Sequence, residues 1–221
     1  GRARLTLTQL PADGASPKPI PVRVALFGAT GEIDLRGAHV DGASLRGDLV
    51  VLGAESVTVE LDGLNEAPVA SVLRNFSAPV LVDRAADEAR DIALLARESD
   101  PFSIWDAAQR LLTADLKARY HGENPSIDAL ADALDTAATN EALEPELRAL
   151  LLQIPSRVNL VEALGHDVDA DKVDAAWRAL AAALGQRLAS ALEGLHDAPA
   201  PASNDLSAEA AGRLDAEDPA Q

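Results

Sequence analysis

The chain has 221 residues, 48% hydrophobic and 25% charged, with a formal net charge of −17. That charge and the lack of any Lys/Arg stripe exclude nucleic acid and anionic membrane surfaces as partners. No apolar run approaches the roughly 20 residues of a membrane span, no signal peptide is present, and zero cysteines exclude disulfides and thiolate metal sites. Aromatic residues make up only 3%, so Leu, Ala and Val must fill the core. No Met occurs anywhere, and a strand pattern begins at once, which reads as a piece of a longer polypeptide.

The first third predicts strands. Leu5-Thr6-Leu7-Thr8 alternates with period two. A Pro-, Gly- and Ser-containing loop spans Pro11 to Pro19, and Ile20 to Phe27 follows as a second strand. Further strands are expected over Leu49–Leu52, Val57–Leu61, Ala70–Phe76 and Val80–Val82. Short strands separated by turn residues over about 80 residues predict an Ig-like antiparallel β-sandwich. From Asp83 the period becomes helical. The expected helices are Ala86–Ala96; one capped by Asp100 with Pro101 in its first turn, running to Tyr120; one opened by Ser126; one begun by Pro145; Val158–Leu164; and a long one, Val173–Leu195, capped by Asp171. Short connections predict antiparallel neighbours, as in a solenoid. The expected organisation is a β-sandwich linker domain over 1–83 and an all-α, solenoid-like domain over 84–196. A Pro/Ala-rich acidic tail over 197–221 has the composition of a disordered segment. Residues 1–83 carry a net charge of −3 and the remainder −14.

Several local patterns invite chemistry that their surroundings refuse. Gly28-Ala29-Thr30-Gly31 after a strand suggests a dinucleotide loop, but Asp34 stands where a small residue must admit the pyrophosphate, and no helical period follows. A hairpin turn is the expectation. Leu35, Val40, Leu45 and Val50 recur every five residues, too few for a stacked coil and better read as an excursion between strands. Asp167, Asp169 and Asp171 alternate as in a calcium loop, but Lys172 and Arg178 occupy the positions that need Gly and Glu. His39, His121, His166 and His196 are far apart in sequence, with no His-Glu-x-x-His among them. No Gly-x-Ser-x-Gly elbow supports a nucleophilic triad. No catalytic, cofactor-binding or metal-ligating residue is assigned.

Arg74-Asn75-Phe76-Ser77-Ala78-Pro79-Val80, then Phe102-Ser103-Ile104-Trp105-Asp106-Ala107-Ala108-Gln109, resembles the junction between sandwich and helical domain in the bacterial aminopeptidase N family of zinc peptidases. Leu5 to Gln9, Ile20-Pro21-Val22 and Ile154-Pro155-Ser156 are similar to that family in the same order, so the resemblance covers residues 1 to about 195. It implies a non-catalytic, cytoplasmic segment that joins a catalytic domain to helices enclosing the active-site cavity. The zinc, the His-Glu-x-x-His helix and the peptide substrates would belong to the parent enzyme. The partners implied are the catalytic domain and the remaining helices. Phe76 and Trp105, as rare large aromatics, are the expected anchors of the junction. The alternative is a free-standing interaction module of sandwich plus helices.

Overall fold

A computed structural model describes residues 1–11 and 15–197, with side chains through 194. The expected tail over 197–221 lies almost wholly outside the described residues.

Among the described residues, eight strands form two antiparallel sheets: β1 (Arg2–Thr8), β2 (Ile20–Gly28), β3 (Gly31–Glu32), β4 (His39–Asp41), β5 (Leu45–Arg46), β6 (Leu49–Leu52), β7 (Ser56–Asp62) and β8 (Val69–Val72). One sheet has the order β1-β7-β4; the other runs β3-β2-β6-β5, with β8 also paired to β2. Strict alternation on β7 buries Val57, Val59 and Leu61 against Val22, Val24, Leu26, Val50 and Leu52 of the facing sheet. The opposite face of the β1–β7 pair is a polar ladder: Arg2 on Asp62, Arg4 on Glu60, Thr6 on Thr58 and Thr8 on Ser56.

The five-residue recurrence is not a coil. It supplies β4, which pairs with β7, and β5, which pairs with β6, so with β3 three short strands add to those expected. Two strand expectations are corrected. Residues 70–76 stay extended only to Val72 before a 3-10 turn at Arg74–Phe76. Val80–Val82 forms no strand: it is an exposed strap, with Leu81 fully exposed. Both stretches have strand-like side chains, but neither finds a partner ladder there.

Seven helices follow among the described residues: α1 (Glu88–Arg97), α2 (Pro101–Tyr120), α3 (Asp128–Ala138), α4 (Pro145–Leu151), α5 (Arg157–Leu164), α6 (Ala170–Arg187) and α7 (Ala189–Asp197). None is long and apolar enough to cross a membrane. Helix α2 is the hub. Its Ile104, Ala108, Leu111, Leu112 and Leu116 meet Leu130, Leu134, Leu151, Leu160, Leu180 and Leu184 of the other helices. Caps set the boundaries: Asp87 accepts from Arg90 N, Asp100 from Ser103 N, and Ser156 forms a reciprocal capping box with Asn159. Asp169, not Asp171, caps α6, accepting from the N–H groups of Asp171 and Lys172. The single long helix expected to Leu195 breaks at Leu188, which is buried and turns the chain into α7, one turn after Gly185. Pattern alone does not reveal such a break, because the apolar spacing continues through it.

Lys18, just before β2, is tied to the end of β1 by one side chain. The two N–H groups of the Gln9 amide are shared among the carbonyls of Lys18 (2.8 Å), Leu52 (2.8 Å) and Ala54 (3.2 Å), and its oxygen accepts from Lys18 N at 3.1 Å. On the helices, Trp177 donates to Pro155 O at 3.0 Å, while Arg157 lies 4.3 Å above its ring and pairs with Asp174.

Two predictions follow from these contacts. Gln9→Leu removes a buried amide that joins backbone groups of Lys18, Leu52 and Ala54. It should cost about 1–3 kcal/mol in urea unfolding and raise exchange at the Lys18 amide. The hydrogen bond from Arg157, offset in part by desolvation and aided by the Arg178 charge, holds the Asp174 carboxyl below its ordinary value of 3.8. A depressed carboxyl stabilises the fold above its unfolded pKa, and that contribution is lost as pH falls through the folded one. The stability difference between wild type and Asp174→Asn should therefore be complete near neutrality and vanish below pH 3.8 in acid titrations followed by circular dichroism.

Candidate functional site at the junction of sheet and helices

Strand β2 is buried on both faces. Val24 and Leu26 point into the sandwich, while Ala25 and Phe27 point the other way and pack on Leu94 of α1 and Ala107 of α2. Phe27 is 1% exposed, so it is the aromatic anchor of the junction. Phe76, expected in that role, is 56% exposed and leans edge-on against Phe102 at 5.2 Å. Phe102 in turn sits 6.0 Å from half-buried Trp105, which packs on the helical core.

Beside Phe27 lies a polar latch. The Glu98 side chain is completely buried. Its Oε1 accepts from Ser99 N (2.8 Å), Asp100 N (3.0 Å) and Arg74 Nε (3.1 Å). Arg74 also reaches Glu32 at 3.2 Å and Ser99 Oγ at 2.9 Å, with its guanidinium 5.9 Å from the Phe27 ring centre. Asp100 divides its two oxygens. Oδ2 caps α2 through Ser103 N at 2.8 Å, and Oδ1 accepts the backbone N–H of Asn75 at 3.0 Å. One carboxylate thus starts the central helix and holds the end of the sandwich.

The latch fixes an uncommon backbone. Leu73, Asn75 and Phe76 all have positive φ, at 62°, 55° and 48°. A left-handed non-glycine residue costs on the order of 1–3 kcal/mol, and Asn bears it best. The Asn75–Asp100 and Arg74–Glu98 contacts oppose that cost, and they lie within the stretch that carries the family resemblance. Sequence reasoning identified Asp100 as a cap but missed its second role, along with Glu98 and Arg74. An Arg in the segment leaving the last strand and a Glu two residues before a helix cap are the only signals present.

A second charged cluster joins α1 to α2. Arg110 bonds buried Asp91 at 3.0 and 3.1 Å and pairs with Asp106 one turn earlier. Arg84, at the start of the helical half, stands 3.6 Å from Asp106 and 4.0 Å from Asp91. Burial, then the nearby Arg110 charge, lowers its pKa to about 10.

The other weighed residues are dispersed. Gly28 pairs with Gly31 in the β2–β3 hairpin, and the Glu66 carboxylate accepts Ala29 N–H where a phosphate would have to lie. A Cβ at Gly28 would come within 2.8 Å of that carboxylate. Asp167 has φ of 58°, and Asp169 is engaged as a cap. His39, His121 and His166 are exposed on separate elements, and the side chain of His196 lies outside the described ones. Among the described residues, no three His, Asp or Glu groups converge in a way that could hold a metal ion. The donor set here does not fit zinc.

Known proteins show the same two-part arrangement. A family model described as "Domain of unknown function (DUF3458) Ig-like fold" matches residues 1–85, and one described as "Domain of unknown function (DUF3458_C) ARM repeats" matches residues 88–215. The chain is 31% identical over 206 residues to the aminopeptidase N of Escherichia coli, covering 88% of this chain and 23% of that protein. It is 37% identical over 123 residues to the aminopeptidase N of Caulobacter vibrioides, covering 54% and 14%. Among solved structures, Legionella pneumophila aminopeptidase A in complex with aspartic acid shares the fold. The TM-score is 0.71 at 20% identity, covering 88% of this chain and 21% of that one. The chain thus spans less than a quarter of the length of these relatives.

Arg74→Ala would leave the Glu98 carboxylate buried without its cation, at a cost of about 3–5 kcal/mol. Phe27→Ala should cost about 3–5 kcal/mol through the cavity it leaves. In both variants, thermal unfolding followed separately at helical and sheet signals should split into two transitions. In the intact chain the two signals should move together.

Proposed function

Because the chain belongs to the aminopeptidase N family, as its C-terminal Ig-like and helical region, we propose that it is the non-catalytic connector of a zinc-dependent aminopeptidase. The sandwich, placed at 1–83, joins the catalytic domain to the helical domain that begins at 84. The helices form part of the wall around the active-site cavity. Hydrolysis of N-terminal residues from peptides, and the zinc it uses, belong to the rest of the cytoplasmic enzyme, and no step of the reaction runs through a metal held by these residues.

The observation that supports this reading best is the latch. A connector must transmit a fixed geometry from one domain to the next, and two loosely tethered modules would not. Phe27 in its apolar slot, Glu98 on Arg74 and Asp100 on Asn75 tie the strand end to the first turn of the hub helix from three directions. A hinge would be built from few contacts and exposed hydrogen bonds; Glu98 and Asp100 are both buried here.

The test is the size of the native polypeptide, by blotting source-cell extract with an antibody to this chain. The expected result is a band several times heavier than 23.0 kDa that comigrates with zinc-dependent aminopeptidase activity. A single band at 23.0 kDa would overturn the reading in favour of a free-standing interaction module. In the heavy enzyme, Arg74→Ala should reduce kcat/KM for peptides more than for a single-residue amide substrate, since the wall moves while the zinc site stays intact.

A further inference from the structure

We infer that the open edge of β1, faced by the strap 78–84, seats an extended apolar strand supplied by the rest of the full-length aminopeptidase; this rests on the connector reading above. A cleft of about 590 Å³ runs along this edge, lined by Leu5, Leu7 and Leu10, by Ile20 and Val22, and by Leu81 on the strap. Leu10, Val80, Leu81 and Val82 are all exposed. Together they make a contiguous apolar rim on a chain whose large apolar side chains are otherwise mostly buried.

The cleft has two flanking strand edges, and only one can accept a partner. On β2, Val24 N donates to Asp48 O at 2.8 Å, toward β6, so Arg23 and Pro21 face the cleft side. Pro21 has no N–H, and Arg23 N is already donated to Ser77 Oγ at 3.0 Å. That edge is closed to strand addition. Among the described residues, β1 is the terminal strand of its sheet. Gln9 N donates to Glu55 O at 2.8 Å. The two-residue alternation of an antiparallel ladder then turns the N–H and C=O groups of Arg4, Thr6 and Thr8 away from β7. A long edge of this kind is normally covered or blunted. Its other protections are absent: no Pro interrupts β1, and its charged side chains are engaged across the ladder with Glu60 and Asp62.

The occupant is one strand of the same enzyme for two reasons. The chain spans less than a quarter of its relatives' length, so most of the polypeptide that could cover the edge lies outside it. A second copy is disfavoured by charge, since each chain carries −17. Among the described residues that line the cleft, Arg84 has no carboxylate oxygen within hydrogen-bond length, the nearest being 3.6 Å away on Asp106. The occupant should therefore place a carboxylate or carbonyl there. The partial burial that lowers the Arg84 pKa is in keeping with a guanidinium that another acceptor would complete.

Hydrogen–deuterium exchange by mass spectrometry, on peptides covering β1, tests this by comparing the full-length enzyme with the isolated 221-residue chain. The Thr6 and Thr8 amides should exchange roughly a hundredfold more slowly in the full-length enzyme. Leu81→Asp should lower the thermal stability of the enzyme and leave that of the isolated chain unchanged. Equal exchange in both, in an enzyme already shown to be long, would overturn the groove while leaving the connector reading intact. Protection in the isolated chain that rises with concentration, together with a doubled mass, would overturn it in favour of a second copy. A native band at 23.0 kDa would instead remove the premise.

Discussion

Everything in this chain is organised by the burial of β2 on both faces. A strand in an antiparallel sandwich ordinarily shows one side to water and alternates accordingly. Here Val22, Val24 and Leu26 fill the sandwich, while Ala25 and Phe27 form a second apolar surface. That surface requires a cover, and Leu94 and Ala107 provide it. The sheet therefore acts as the middle of three layers at this end, and the direction of the helical array is set by how α1 and α2 meet one strand. Ala25 and Ala107 keep the layers close. Phe27 sets the distance and fills the slot between them.

The charged groups around this contact do different work. Apolar packing is tolerant of rotation, whereas Glu98 and Asp100 are specific about angle: Glu98 Oε1 accepts from two backbone N–H groups and Arg74 at once, and Asp100 divides its two oxygens between the backbone N–H groups of Ser103 and Asn75. A buried ion pair adds little net stability over an apolar one of the same shape, yet removing one partner is costly. The latch is thus better understood as fixing orientation than as holding the domains together. The left-handed backbone at Leu73, Asn75 and Phe76 is the conformational expense of bringing the strand end to that position.

Much of the fold was legible in the sequence. β2, β6 and β7 and the whole of α2 follow from alternation and from the Asp100-Pro101 start, where local propensity and tertiary structure agree. The departures have physical causes. Ala70 to Phe76 looks like one strand because Val, Leu and Phe favour it, but Asp100 and Glu98 draw its last three residues into a tight turn. Val80–Val82 has strand-like residues and no neighbour to pair with. The α6–α7 break at Leu188 occurs inside a continuous apolar period. β4 and β5 are too short to show alternation. The junction was recognisable as a similarity, yet its working parts were not: Phe27 reads as one more strand residue, and Glu98 as a surface acid. Only the packing of β2 against α1 and α2 gives those residues their roles.

The double use of Asp100 bears on how the two halves are joined. The covalent path between them, residues 77–87, is mostly exposed and without strand or helix, while Arg74 and Asn75 grip Glu98 and Asp100 directly on the far side of it. The polypeptide is therefore only one of two links between the halves. A protease that nicked the strap would leave two chains held together by the packing of Ala25 and Phe27 on Leu94 and Ala107 and kept in register by the latch, migrating as one particle until that packing was undone. A break in the sequence here would not be a break in the molecule.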